Sequence, residues 1–261
     1  MYGAIIGDLA GSIYEYGQVN NIHTININKI IDDECFYSDD TIMTVAIIDA
    51  ILNDKDYEKY IRMYANNYLN YKPDFKPYFK TAFSPGFIKW LNRDKLGNSI
   101  GNGAMMRISP IGYMFNMEED VILNSMLVTK TSHNSADAIK YAEMIALIIY
   151  YFRMGLGIWD VYNKLKIIPI YKPFSKFNTT CSETIGNCLY ALYNSNSFSD
   201  AIRKTIMMGG DTDTNAAIVG GMAEALYGID DDLVLIVKDK IPKEFVDTID
   251  NGYRKIKKIK I

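Results

Sequence analysis

The chain has 261 residues, 49% hydrophobic and 23% charged, with a formal net charge of −3. That length supports one large domain with a substantial core. The composition excludes global disorder, and the mild acidity speaks against a nucleic-acid binder, whose domain would be basic. Cys35, Cys181 and Cys188 are an odd set without a CxxC pair, so no disulfide framework is expected and a reducing, cytoplasmic setting is. The opening segment lacks a basic run and carries Asp8 and Glu15, unlike a signal peptide. The longest apolar run, Met144 to Phe152, is too short to span a bilayer, so no membrane association is expected.

Helical periodicity dominates from the start. Residues 3–16 place Gly3, Gly7 and Gly11 four apart, a smooth strip on which another backbone can lie closely. The alternation of His23, Ile25 and Ile27 within residues 23–31 is the single hint of a strand. Residues 39–53 predict a helix with Ser38 as its N-cap, and residues 56–70 an amphipathic helix with a tyrosine-rich stripe. Residues 70–84, rich in proline and aromatics, read as a long loop; residues 94–103, rich in Gly and Asn, read as another, with residues 86–92 a short helix between them. Further helices are predicted over 118–130, 135–154, 157–165, 180–194, 198–208, 213–227, 231–240 and 242–258. Cys181 and Cys188 are expected to be buried, and Arg254, Lys255, Lys257, Lys258 and Lys260 to form a solvated face. No repeat or linker interrupts the pattern, so one compact all-α domain over residues 1–261 is expected.

Four segments concentrate chemistry. The first, Gly7-Asp8-x-x-Gly11-Ser12-x-x-Glu15, puts two carboxylates seven residues apart on one helical face; a helix-packing strip with two solvated acids is its plain alternative. The second, Ser38-Asp39-Asp40-Thr41, stands at a helix start, where Ser and Asp are ordinary caps. The same residues also form a cluster of hard oxygen ligands. The third, Gly209-Gly210-Asp211-Thr212-Asp213-Thr214-Asn215, holds more acids and hydroxyls than capping needs, at the head of a small-residue helix expected to be central. Buried acids so placed repel one another unless protonated or neutralised by metal. The histidines, His23 and His133, lie far apart and the cysteines lack ligand spacing. An all-oxygen donor set therefore favours Mg²⁺ or Mn²⁺, with two ions held between the two acidic segments. The fourth segment, Gly101-Asn102-Gly103 leading to Arg107, offers a turn whose free amides could bind an anion.

In this order, the segments at 7–15, 38–41, 101–112, 131–134 and 209–217 resemble the ADP-ribosylglycohydrolase family. The resemblance implies an orthogonal all-α bundle with a central cleft holding a binuclear Mg²⁺ or Mn²⁺ site. It implies Ser38, Asp39, Asp40, Asp211, Asp213 and Thr214 as metal ligands, Gly101, Asn102 and Gly103 around the diphosphate of ADP-ribose, and His133 near the ligand. Glu15, Asp40 and Asp211 would carry catalysis, with Glu15 as acid or base. The implied activity is hydrolysis of the glycosidic bond between ADP-ribose and an acceptor: an ADP-ribosylated protein, with arginine favoured, or a small conjugate. Two departures stand out: Ser38 replaces an expected threonine but keeps its hydroxyl, and Asn134-Ser135-Ala136 replaces a His-Pro-Glu-like continuation. The competing readings are a non-catalytic ADP-ribose-binding module and another metal-dependent nucleotide hydrolase, which would release phosphate in place of ADP-ribose.

Overall fold

A computed structural model of the chain describes residues 1–15, 26–73, 82–93, 95–174 and 176–259. In chain order the helices are α1 (Tyr2–Ser12), α2 (Asp39–Leu52), α3 (Tyr57–Asn67), α4 (Pro85–Leu91), α5 (Gly103–Met106), α6 (Ser109–Met114), α7 (Glu118–Ser132), α8 (Ala136–Arg153), α9 (Ile158–Lys164), α10 (Cys181–Tyr193), α11 (Phe198–Met207), α12 (Thr212–Tyr227), α13 (Asp231–Lys240) and α14 (Lys243–Ile259). Among the described residues there is no β-strand, and the architecture is all-α as expected. No helix among them is long and apolar enough to cross a membrane.

The centre of the fold is the antiparallel pair α1 and α12. A Cβ added at Gly3, Gly7 or Gly11 would stand 2.3, 2.0 or 2.3 Å from the carbonyl oxygen of Gly220, Ala216 or Thr212. The glycine strip therefore touches backbone, one turn of α1 against one turn of α12, and any side chain there would force the helices apart. Both helices are buried along most of their length. The plain alternative for the first segment is thus right about its glycines and wrong about its acids, because Asp8 and Glu15 are buried. α2 packs on α1, with α14 against α2, while α8, α10 and α11 pack on α12, and one continuous apolar core runs from α1 to α14.

Several expectations shift in detail. The first helix stops at Ser12, short of residue 16, so Glu15 lies beyond its end. Ser12 Oγ turns back to the Leu9 carbonyl and accepts from Phe36 N–H, tying the exit of α1 to the segment before α2. The strand expected at 23–31 is not formed over residues 26–31, where Ile27, Ile30 and Ile31 are buried as irregular chain; His23 and Ile25 lie outside the described residues. So do residues 74–81 of the first loop, Asp94 of the second, and Lys260. The short helix α6, led by Pro110 in its first turn, has no counterpart among the predicted elements. The three cysteines are buried. Lys255 reaches the Ile51 carbonyl and is only partly solvated.

Candidate active site and metal centre

The heads of α2 and α12 meet at the end of α1, which brings the first three chemical segments together. Ser38 caps α2 by accepting from Asp40 N–H. Asp8 completes that cap from the neighbouring helix: its carboxylate accepts from Ser38 N–H at 2.9 Å, Ser38 Oγ at 2.8 Å, Thr41 N–H at 3.0 Å and Thr41 Oγ1 at 2.5 Å. At the other helix head, Gly209 and Gly210 both take φ of 75°, a left-handed turn that glycine adopts without strain. Thr212 leaves the site to donate to the Gly11 carbonyl, whereas Thr214 Oγ1 donates to Asp40 Oδ2 at 3.2 Å.

Two groups of carboxylates result, Asp8–Asp40–Asp213 and Glu15–Asp211–Asp213, in each of which one oxygen per residue lies within 4.8 Å of the others. Asp213 belongs to both. All five are buried, and Asp39 beside them is half-buried at the cleft surface. Burial pushes the Asp8 carboxyl up to about 7, helped by the charge of Asp213. Burial likewise raises Asp211 to about 6, held there by hydrogen bonds that stabilise its charge. Asp39, Asp40 and Asp213 are pushed well above the ordinary carboxylate range by burial and then by their acidic neighbours.

The magnitudes decide what such a cluster is for. A hydrogen bond to a charged group contributes about 1.5–3 kcal/mol. A like-charge pair at 4 Å costs about 4 kcal/mol at an effective dielectric near 20, and desolvation adds several kcal/mol per ion. Capping bonds therefore do not offset ionisation of the whole set. Moreover Asp40 Oδ1 is buried with no hydrogen-bond partner among the described residues. An acid-rich, all-oxygen set with an orphaned carboxylate oxygen fits a hard divalent cation. An all-oxygen set suits a hard cation better than zinc or copper, which favour nitrogen and sulfur donors.

The acidic heads form the floor of a cleft of about 1140 Å³, large enough for a dinucleotide-sized ligand. Glu15, Ser38, Asp39, Asp211, Asp213 and Thr214 line it, while Asp40 sits just beneath. Gly101, Asn102, Gly103 and His133 line the same cleft as a glycine wall that adjoins the floor. This wall is woven from two backbone links. Gly97 N–H donates to Thr131 O and Ser99 N–H to Ser132 O, joining the loop to the end of α7. Asn102 N–H donates to Thr179 O and Cys181 N–H to Ile100 O, joining it to the head of α10.

Those links narrow one expectation. Two amides of the glycine turn are engaged: Gly101 N–H donates to Ser99 Oγ and Asn102 N–H to Thr179 O. The Asn102 side chain is also engaged, donating to Asp211 Oδ2 at 2.7 Å. It orients the carboxylate at the head of α12. Asn178 does similar work unnoticed in the sequence. Its Oδ1 accepts from Asp211 N–H at 2.8 Å, and its Nδ2 donates to Thr184 Oγ1 and Asn215 Oδ1. A lone asparagine in an irregular segment gives no periodic signal, and its partners come together by tertiary folding alone. Arg107 and Ser132, which contact His133, were equally invisible as a set.

A family model described as ADP-ribosylglycohydrolase matches residues 1–169 and 172–259. The chain is 24% identical over 263 residues to a protein of Pseudomonas putida (strain GB-1) named ADP-ribosylarginine hydrolase Tri1, covering 88% of this chain and 70% of that protein. A solved structure described as an ADP-ribosylglycohydrolase-related protein complex superposes with a TM-score of 0.67 at 17% identity, covering 98% of this chain and 93% of that one, which shows a shared fold.

Proposed function

The chain belongs to the ADP-ribosylglycohydrolase family and is a glycohydrolase acting on ADP-ribose linkages, and from that premise we propose that it works with divalent cations on an ADP-ribosylated protein side chain, arginine first. The observation that carries the metal dependence is the buried, unpartnered Asp40 Oδ1 inside two carboxylate groups that share Asp213. Ser38, Asp39, Asp40, Asp211, Asp213 and Thr214 are the proposed ligands, for two ions, Mg²⁺ or Mn²⁺; Asp8 stands close enough to join them. When bound there, the ions would polarise ligand oxygens and make a water more acidic. The arginine preference is supported by the name of the Pseudomonas putida relative. We read residues 1–261 as a single domain, and the three buried free thiols as suited to a reducing cytoplasm.

The reaction breaks the bond between the anomeric carbon of ribose and the acceptor atom. Water supplies the hydroxyl left on the sugar, and the acceptor departs with a proton. Asp211, fixed by Asn102 and by Asn178, faces the cleft as the negative charge that stabilises the positive character of the anomeric carbon. Glu15, buried beside Asp211 and Asp213 and lining the same floor, is the group we assign to proton transfer. Gly101, Gly103 and His133 bound the space left for the diphosphate and the adjoining ribose. The test is mass spectrometry of arginine-linked and serine-linked ADP-ribosyl peptides incubated with the protein. Release of free ADP-ribose from the arginine peptide with Mg²⁺ or Mn²⁺, abolished by EDTA, is expected. Release unaffected by EDTA would remove the metal, and release from the serine peptide alone would remove the arginine preference.

A further inference from the structure

Arg107 follows α5 and has no solvent exposure. A buried guanidinium normally sits in an ion pair. Among the described residues Arg107 has none, and its Nε and Nη1 have no hydrogen-bond partner. Burial lowers it to about 10, which leaves it charged at neutral pH. Its side-chain contacts lie at the cleft wall. Its Nη2 donates to Ser132 Oγ at 2.6 Å and lies 3.4 Å from His133 Nδ1, and Ser132 Oγ lies 2.7 Å from the same Nδ1.

These contacts fix where the imidazole proton sits. A guanidinium only donates. Ser132 Oγ accepts from Arg107 Nη2, which turns its own hydrogen toward Nδ1 at 2.7 Å, so Nδ1 is the acceptor and Nε2 carries the hydrogen. The imidazolium is disfavoured by burial and then by the Arg107 charge. Two further titratable groups face this cluster. Cys181 of α10 donates its thiol to Gly101 O and is pushed up to about 12, hence neutral. Asp39 of α2 acts on Arg107. The free edge of the ring faces the glycine turn: a Cβ added at Gly101 or Gly103 would stand 3.6 or 3.4 Å from Nε2.

We propose that Arg107 is a positioning residue that, with Ser132, locks His133 as the neutral Nε2–H tautomer, so that the glycine wall presents one N–H donor to an acceptor oxygen of the bound ligand. That the oxygen belongs to ADP-ribose rests on the function proposed above; the tautomer does not. The positive charge behind the ring strengthens the donor without supplying a proton that could be lost at working pH.

The chain has two histidines, His23 and His133, so His23→Gln leaves one imidazole to observe. Long-range proton–nitrogen correlation spectra are recorded from about pH 5.5 to about 8.5, where an ordinary imidazole titrates. The expected spectrum shows a protonated Nε2, a bare Nδ1 and no titration. Arg107→Met is expected to mix the tautomers of His133, whose charged form stays disfavoured by burial, and to weaken binding of free ADP-ribose by roughly tenfold in calorimetry. Arg107→Lys, which keeps a charged donor, is expected to restore the single tautomer. Should Arg107→Met fail to fold, Ser132→Ala must still disturb the tautomer. A protonated Nδ1 or ordinary titration in the protein with Arg107 intact overturns the proposal, as does an unchanged tautomer in both variants. The expected tautomer in a protein that releases no ADP-ribose would instead refute the function and leave this inference standing.

Discussion

The two walls of the cleft are opposite in what they lack. The floor formed by the heads of α2 and α12 holds Glu15, Asp39, Asp40, Asp211 and Asp213, with an acceptor, Asp40 Oδ1, left unsatisfied. The adjoining glycine wall holds a buried arginine with donors left unsatisfied and an imidazole whose charged form is disfavoured by burial. A site built for stability would pair these excesses with each other. Here the hydrogen bond from Asn102 to Asp211 crosses between them, while Arg107 forms no ion pair among the described residues and feels Asp39 only through space. The separation favours a ligand that brings a cation to one side and anionic or hydroxyl oxygens to the other.

Removing charge from the acidic floor should have the largest effect, and of opposite sign on activity and stability. Asp213→Asn keeps an oxygen for the Thr214 amide but breaks both carboxylate groups. Turnover in the ADP-ribose release assay should fall by more than about 100-fold, beyond the usual loss from an outer partner of a metal. Metal-free stability in urea should rise by about 1–2 kcal/mol through relief of repulsion. A stability loss with activity retained would mean the floor is structural.

Disturbing the frame beneath that floor should come next. Gly7→Ala puts a Cβ 2.0 Å from the Ala216 carbonyl, against rigid backbone. We expect a loss of at least about 3 kcal/mol in chemical denaturation, the upper range for overpacking, with activity falling alongside. An unperturbed protein would show that α1 and α12 do not hold the floor in register.

Titration sharpens the contrast without mutation. In the metal-free protein, Asp8 and Asp211 keep their protons to about 7 and about 6, whereas the unfolded chain releases them near the ordinary carboxyl value of 3.8. The folded state binds more protons in that window, so stability should be lost as pH rises from about 4 to about 7. Saturating Mg²⁺ or Mn²⁺ should cancel the decline and raise Tm by about 5–10 °C at a hundredfold excess over Kd. Thermal melts across pH, with metal and with EDTA, check both statements. The smallest effect belongs to the glycine wall. Gly103→Ala places a methyl 3.4 Å from His133 Nε2, which should weaken ADP-ribose binding by roughly threefold to tenfold and leave Tm within about 1 °C.

The walls also differ in how much of them could be read from residues alone. The floor is carried by contiguous runs, 38–41 and 209–217, whose excess of acids over capping need is visible locally, and the glycine period of α1 announced its close partner. Nearly every helix followed from apolar spacing, because burial against a central pair imposes that period. The exit of α1 at Ser12 was missed, since Ser12 bonds to the distant Phe36 amide. The glycine turn reads in sequence as open amides, yet the Gly101 amide is taken by the nearby Ser99 hydroxyl and the Asn102 amide by the distant Thr179 carbonyl. The roles of Asn178 and Arg107 depend in the same way on contacts across 33 and 26 positions.

The most direct test of the account is calorimetric titration of Mn²⁺ into the metal-free protein near neutral pH, repeated in buffers of different ionisation enthalpy. Two ions should bind with release of protons from the raised carboxylates, and Asp213→Asn should lose at least one of them. Absence of binding, or binding with no proton release and no change in Asp213→Asn, would contradict the metal centre and with it the proposed chemistry of the cleft.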